Sequence, residues 1–210
     1  MRSSIVEHWR KLAGPVHPLD EPFFERFRHN FNLDYPPPAY IGDIESAPVV
    51  LLEAHGGYGE EVTPAEFADP GTAAMYLRRL YDPGPVVAEK VAPYYGERNY
   101  ADLIASGVLA LVNAVAYRTP DMSKEASNRK LVERLPSTAV HRTWLKSELL
   151  SQVARGERLV VANRSGLWDL QRSGDPVPGL VFTPNPRMSD LDRGTLEYVH
   201  NWLTKKCWVR

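Results

Sequence analysis

The stretch Val49-Val50-Leu51-Leu52-Glu53-Ala54-His55-Gly56-Gly57-Tyr58 decides how this chain is read. Four apolar residues without alternation predict a strand buried on both faces, the pattern of a parallel sheet covered by helices. The polar, glycine-rich cluster after them marks the strand's carboxyl end. Two further runs repeat the pattern: Leu109-Ala110-Leu111-Val112 into Asn113, and Leu180-Val181-Phe182 into Thr183-Pro184-Asn185-Pro186-Arg187. Open α/β sheets bind ligands outside the carboxyl ends of their strands. These three polar clusters therefore form the first candidate site.

Working outward, helical spacing covers Ser4 to about Leu12 and Glu21 to Phe31, with Phe23, Phe24, Phe27 and Phe31 on one face. Residues 1–38 read as an N-terminal helical extension packed on the rest. Pro36-Pro37-Pro38 then imposes an extended entry into the first strand. Helices are predicted over Gly71–Tyr81, Val86–Val91 and Tyr100–Ser106, with a helix start at Thr63-Pro64-Ala65-Glu66. A second strand runs near Val108–Val115, followed by a short helix around Glu125–Leu135. Ser137 is the expected N-cap of a longer helix through Trp144 and Val153, which Gly156 ends. Arg158–Ala162 reads as a third strand, Gly166–Gln171 as a helical turn and Leu180–Phe182 as a fourth strand. The last helix is expected to begin near Ser189 or Asp190. Strands alternating with helices predict one three-layer α/β/α domain over residues 1–210, with a mainly parallel sheet of four strands.

Composition narrows the function classes. The chain has 210 residues, 43% hydrophobic and 24% charged, with a formal net charge of -1. That balance offers no basic field for nucleic acid, so any phosphate contact must come from a local patch. Cys207 is the single cysteine, which rules out an intramolecular disulfide and a cysteine-built zinc site. The opening leads into an amphipathic stretch instead of an apolar signal core, and no apolar run approaches the ~20 residues of a membrane span. A soluble, cytoplasmic, monomeric protein with no metal and no cofactor is expected. No phosphate-loop or dinucleotide fingerprint is present.

At its strand ends the chain resembles the uracil-DNA glycosylase superfamily. Leu109–Val115 is similar to the apolar run that ends in the family's base-reading Asn, here Asn113. Thr183-Pro184-Asn185-Pro186-Arg187 resembles the His-Pro-Ser-Pro-Arg motif of the single-strand-selective monofunctional branch, and a helix is predicted after it as in the family. Glu53-Ala54-His55-Gly56-Gly57-Tyr58 stands where the family carries Gly-x-Asn-Pro-Gly or Gly-Gln-Asp-Pro-Tyr. The likeness spans roughly residues 40–203 by order of elements and rests on these three short motifs. It implies a DNA glycosylase-like fold, with DNA, single-stranded included, as partner. Two positions depart from the pattern. His55 replaces the residue that positions the attacking water, and Thr183 replaces the transition-state histidine. An iron–sulfur cluster, present in some branches, is excluded by the cysteine count.

Hydrolysis of an N-glycosidic bond needs a flipped base, charge stabilisation on it and a positioned water. A carboxamide presents both a donor and an acceptor to a base edge, which suits Asn113. His55, Thr183 and Asn185 are the catalytic candidates, with Glu53, Glu60 and Glu61 as nearby carboxylates that serve as the base if His55 does not. Gly56 and Gly57 allow close backbone approach to a ligand, and Tyr58 offers a face for stacking. Arg187, Met188 and Arg118 are candidate DNA contacts, with Arg164 and Arg193 as further phosphate ligands. Bland alternatives stand beside each: a strand-end hydrogen bond for Asn113 and His55, core packing for Tyr58 and Met188, solvation for the glutamates. Three functions fit: a glycosylase acting on a damaged or modified base, a non-catalytic nucleic-acid binder of the same superfamily, or an enzyme acting on a free nucleoside or nucleotide.

Overall fold

The apolar runs become the centre of a five-stranded mixed sheet, with strand order β1-β3-β2-β4-β5. The computed structural model describes residues 3–84, 93–172, 177–186 and 188–207. In chain order the elements are α1 (Ser4–Trp9), α2 (Glu21–Arg26), β1 (Tyr40–Ile41), β2 (Val49–Gly57), α3 (Val62–Glu66), α4 (Pro70–Tyr81), α5 (Pro93–Gly96), α6 (Ala101–Ala105) and β3 (Leu109–Thr119). Then follow α7 (Ser127–Val132), α8 (Pro136–Trp144), a π-helical segment (Leu145–Leu149), α9 (Leu150–Ala154), β4 (Leu159–Ala162), a 3-10 turn (Ser165–Trp168), β5 (Leu180–Phe182) and α10 (Arg193–Lys205).

Strands β2, β3, β4 and β5 pair in parallel, and β1 pairs antiparallel with the outer edge of β3. The sheet is thus α/β as expected, with one strand more than the four predicted. The extra strand is only two residues long, too short to leave a hydrophobic period in the sequence, and the triple proline leads into it.

Both faces of the sheet are buried, which is why its strands read as continuous apolar runs. On one face Val50, Leu52, Ala110, Val112, Val160 and Ala162 pack against Ile5, Val6, Trp9, Trp144 and Leu149. On the other, Val49, Leu51, Leu109, Leu111 and Val161 meet Ile104, Val199 and Leu203. Residues 3–38 pack on the domain through Trp9, Phe24 and Phe31, all buried.

Several local expectations shift. The helix predicted over Glu21–Phe31 stops at Arg26, because the chain turns extended at Phe27 to bring Phe31 into the core. Ser137 lies inside α8, whose first turn begins with Pro136. The backbone N–H of Ser137 instead donates to the buried Asp20 carboxylate (3.0 Å), so a residue 117 positions away closes the helix end. Helix α10 starts at Arg193, with Asp192 accepting from the Thr195 N–H (3.1 Å). Gly156, at φ +69°, ends α9. The helix predicted over Val86–Val91 lies outside the described residues. Among those residues, no helix is long and apolar enough to cross a membrane.

Candidate active site

The strand register lines up one polar residue from each parallel strand. Glu53 on β2 sits opposite Asn113 on β3. Leu52 pairs with Ala162 and Ala162 with Phe182, so the next residues across the sheet are Glu53, Asn163 and Thr183. A row Asn113–Glu53–Asn163–Thr183 crosses the sheet just past the ends of β4 and β5 but midway along β3 and β2, which do not end at these residues as the apolar runs predicted and continue to Thr119 and Gly57. All four follow apolar residues of the same sheet face, since side chains repeat every second position.

Hydrogen bonds join three of the four. The Thr183 hydroxyl donates to Asn163 Oδ1 (2.7 Å), and Asn163 Nδ2 donates to Glu53 Oε1 (2.7 Å) and to the Met188 carbonyl (3.0 Å). The indole of Trp168 donates to the Glu53 carbonyl (2.8 Å), fixing β2 at this level. Burial pushes the Glu53 carboxyl up to about 7, against the Asn163 hydrogen bond and the Arg164 charge, which both favour the anion.

Asn113 is fixed by three partners. Its Nδ2 donates to the Pro38 carbonyl (2.6 Å), and its side chain meets the hydroxyl of Tyr95. Its own carbonyl accepts from His141 Nδ1 (2.7 Å), whose Nε2 accepts from the Trp9 indole (2.7 Å). Burial holds the His141 imidazole neutral, with its pKa lowered to about 4.

Glu53 and Asn113 line a pocket of about 60 Å³ together with Tyr94, Tyr95, Tyr100, Leu111, Gly57, His55, Arg164, Met188 and Ser189. Tyr95 and Tyr100 are buried, and that burial raises the Tyr95 hydroxyl to about 12 and that of Tyr100 higher still. Next to the pocket runs an open groove of about 960 Å³, lined by Arg129, Arg164, Arg172, Asp121, Glu133 and Pro186 among others. His55 and Arg164 line both spaces. His55 Nδ1 donates to the Gly56 carbonyl (3.0 Å), which leaves Nε2 as an acceptor, and burial lowers its pKa.

Other residues singled out in the sequence fall elsewhere. Thr183 is buried and lines neither space, and its carbonyl accepts from Arg172 (2.6 Å). Asn185 is exposed and lines neither space. Tyr58 is half-buried and also absent from both linings. Met188 is 46% exposed at the pocket. Arg187 lies outside the described residues. Arg193 is exposed on α10 and pairs with Glu197 (2.7 Å).

Arg118 is only 2% exposed, so it is no surface ligand for phosphate. It pairs with buried Glu66 (3.4 Å), donates to the Gly57 carbonyl (3.3 Å) and lies against the rings of Phe67 and Tyr76. It thereby braces the end of β2 just past the register shift between His55 and Gly56. The two glycines serve protein contacts. A Cβ on Gly56 would lie 2.4 Å from Pro38 Cγ, and one on Gly57 3.3 Å from the Tyr94 ring.

Asn163 and the three tyrosines were missed in the sequence. Leu159-Val160-Val161-Ala162-Asn163 carries the same apolar-run-to-polar signal as the other three runs and was legible on that basis. The tyrosines come from the segment between α4 and β3, which has no strand end to mark them.

The described residues contain one buried histidine–carboxylate group, His8, His17 and Asp20, with ligand atoms within 4.8 Å of one another. The two imidazoles stack in parallel, 3.9 Å apart at 14°, so their lone pairs do not converge on one point. Both His17 nitrogens and both Asp20 oxygens are already hydrogen-bonded within the protein. The group fits core packing and not a metal.

Comparison with known protein families, with characterised proteins and with solved structures finds no match to this chain.

Proposed function

We propose that the protein is an N-glycosylase of the uracil-DNA glycosylase type, with Glu53 as its general base. The base of an extruded nucleotide enters the pocket between Asn113 and the tyrosines. Glu53 takes a proton from water as the water oxygen bonds to the anomeric carbon. The electrons of the breaking C–N bond leave with the base, whose carbonyl takes the place of the Tyr95 hydroxyl as the second acceptor of Asn113 Nδ2. The observation that carries this reading is the part-buried Glu53 carboxyl, raised to about 7 and paired across the sheet with Asn113 on the wall of the pocket. A base with a pKa near the working pH combines correct ionisation with proton affinity.

Supporting features surround it. Tyrosine faces suit a stacked heterocycle. Arg129, Arg164 and Arg172 bring positive charge to the adjoining groove, where phosphates would run, and half-exposed Met188 suits insertion into a base stack. Neutral His55, with Nε2 as acceptor where groove meets pocket, suits orienting the water. In this reading β2–β5 are a divergent form of the family's four-stranded parallel sheet, and β1 is an edge addition.

A free nucleoside or nucleotide is the second reading. Asp121 and Glu133 share the groove with the arginines, while Arg118 and Arg193 are absent from its lining. One experiment separates the two: base release from single- and double-stranded oligonucleotides carrying uracil, hypoxanthine or alkylated bases, beside release from the matching free nucleosides. We expect release from an oligonucleotide, rising with pH through about 7 and falling roughly 10²–10⁴-fold in Glu53→Gln. Release from nucleosides alone establishes the second reading. Tight binding without release makes the protein a non-catalytic binder, and the absence of both binding and release overturns the proposal.

A further inference from the structure

The bonds around Asn163 have a fixed direction. Thr183 Oγ1 lies 2.7 Å from Asn163 Oδ1, an amide oxygen that can only accept, so the hydroxyl donates and the carbonyl end of the amide faces β5. The amide's NH₂ end must then face β2, where it reaches Glu53 Oε1 at 2.7 Å and the Met188 carbonyl at 3.0 Å. Asn163 and Thr183 are 1% and 2% exposed, so water does not compete for either end. Were the amide reversed, its carbonyl would face the Met188 carbonyl, an acceptor whatever the charge on Glu53, and the ionised Glu53 carboxylate as well. Only the first orientation satisfies every group.

We infer that Thr183 and Asn163 form an orientation lock: the threonine hydroxyl fixes the asparagine amide so that it presents only a donor to the Glu53 carboxylate. Both are positioning residues that act through Glu53, and the inference rests on the proposed role of that carboxylate. A donor aimed at an acid favours its ionised form, so the lock opposes the burial that keeps Glu53 protonated. It sets the pH at which the carboxylate is available as a base. The Met188 carbonyl bond ties the loop after β5 to the same amide, so the mouth of the pocket and the carboxylate share one anchor.

The test reads the Glu53 side-chain carboxyl by carbon-detected NMR titration, its resonance assigned by loss in Glu53→Gln. Thr183→Val removes the hydroxyl with little change of shape and frees the amide to turn. The titration midpoint is expected to rise by about one unit, a tenfold change in the ionised ratio. Thr183→Ser keeps the hydroxyl and should titrate as wild type. Asn163→Asp, which keeps the shape but sets a second carboxyl against Glu53, is expected to raise the midpoint further. An unmoved midpoint in Thr183→Val and Asn163→Asp overturns the lock, as does an equal shift in Thr183→Ser. If Thr183→Val does not fold, the Asn163→Asp and Thr183→Ser titrations decide alone. The titration needs no substrate, so absence of base release counts against the glycosylase reading only. An unmoved midpoint counts against the lock only.

Discussion

Replacing Glu53 by Gln should stabilise the protein at alkaline pH. The folded chain raises this carboxyl from 4.5 to about 7 because burial penalises the anion. A raised pKa means the protonated form is the one the fold favours. The stability linked to it is fully present below pH 4.5 and is lost as pH rises through 7. The interval of 2.5 units, at 1.36 kcal/mol each, amounts to about 3 kcal/mol above pH 8. Glutamine removes that penalty while its side-chain carbonyl still accepts from Asn163. Urea denaturation of wild type and Glu53→Gln at several pH values between 4.5 and 8.5 measures the difference directly. The variant should exceed wild type by about 3 kcal/mol at pH 8 and by nearly nothing at pH 4.5, with an unchanged denaturant slope. A pH-independent difference, or a variant less stable at pH 8, would refute the reasoning: it would mean that hydrogen bonds and Arg164 outweigh burial. The same substitution is the one expected to stop catalysis, so stability and activity should move in opposite directions.

Three further outcomes follow from the packing. In the Glu53→Gln background, lowering the pH from 7 to 5 should reduce stability by about 4 kcal/mol, about 2 each for His8 and His141. Their folded pKa values are lowered to about 3 and about 4, for His8 by burial and then by neighbouring His17, and for His141 by burial. Protons bound by the unfolded chain below pH 6.5 therefore drain stability until those values are reached; flat urea midpoints across this window would exclude it. Gly56→Ala should cost about 1–3 kcal/mol in urea denaturation because its methyl group meets Pro38, whereas Gly166→Ala, with open space around it, should cost less than about 1. Arg118→Ala should cost about 3–5 kcal/mol by taking the cation away from the buried Glu66 carboxylate, which keeps the Tyr76 hydroxyl as a donor, and the loss should persist at 1 M salt, unlike that of a surface ion pair.

Much of this architecture was legible in the order of residues. A strand covered on both faces has no polar positions to alternate, so Val49–Leu52, Leu109–Val112 and Leu180–Phe182 announced themselves. The polar residues that follow them were equally visible, although β2 and β3 run on past Glu53 and Asn113 to Gly57 and Thr119. What the runs did not carry was register, and register is set by pairing between strands far apart in sequence. It aligned Asn113, Glu53, Asn163 and Thr183 into one row and so gave Asn163 a role that its position alone did not suggest.

Burial was the other decision made in three dimensions. Arg118 reads as a charged residue after a strand, and only the closure of Phe67, Tyr76 and Glu66 around it turns it into an internal brace. Glu53 reads as one glutamate among three near a glycine-rich loop. The fold selects it because the tyrosines before β3 and the loop at Met188 close over it and not over Glu60 or Glu61, which stay exposed. Sequence by itself determined where the apolar runs lie and which polar groups follow them. The tertiary structure decided which of those groups lose water, because desolvation depends on what the rest of the chain lays over them.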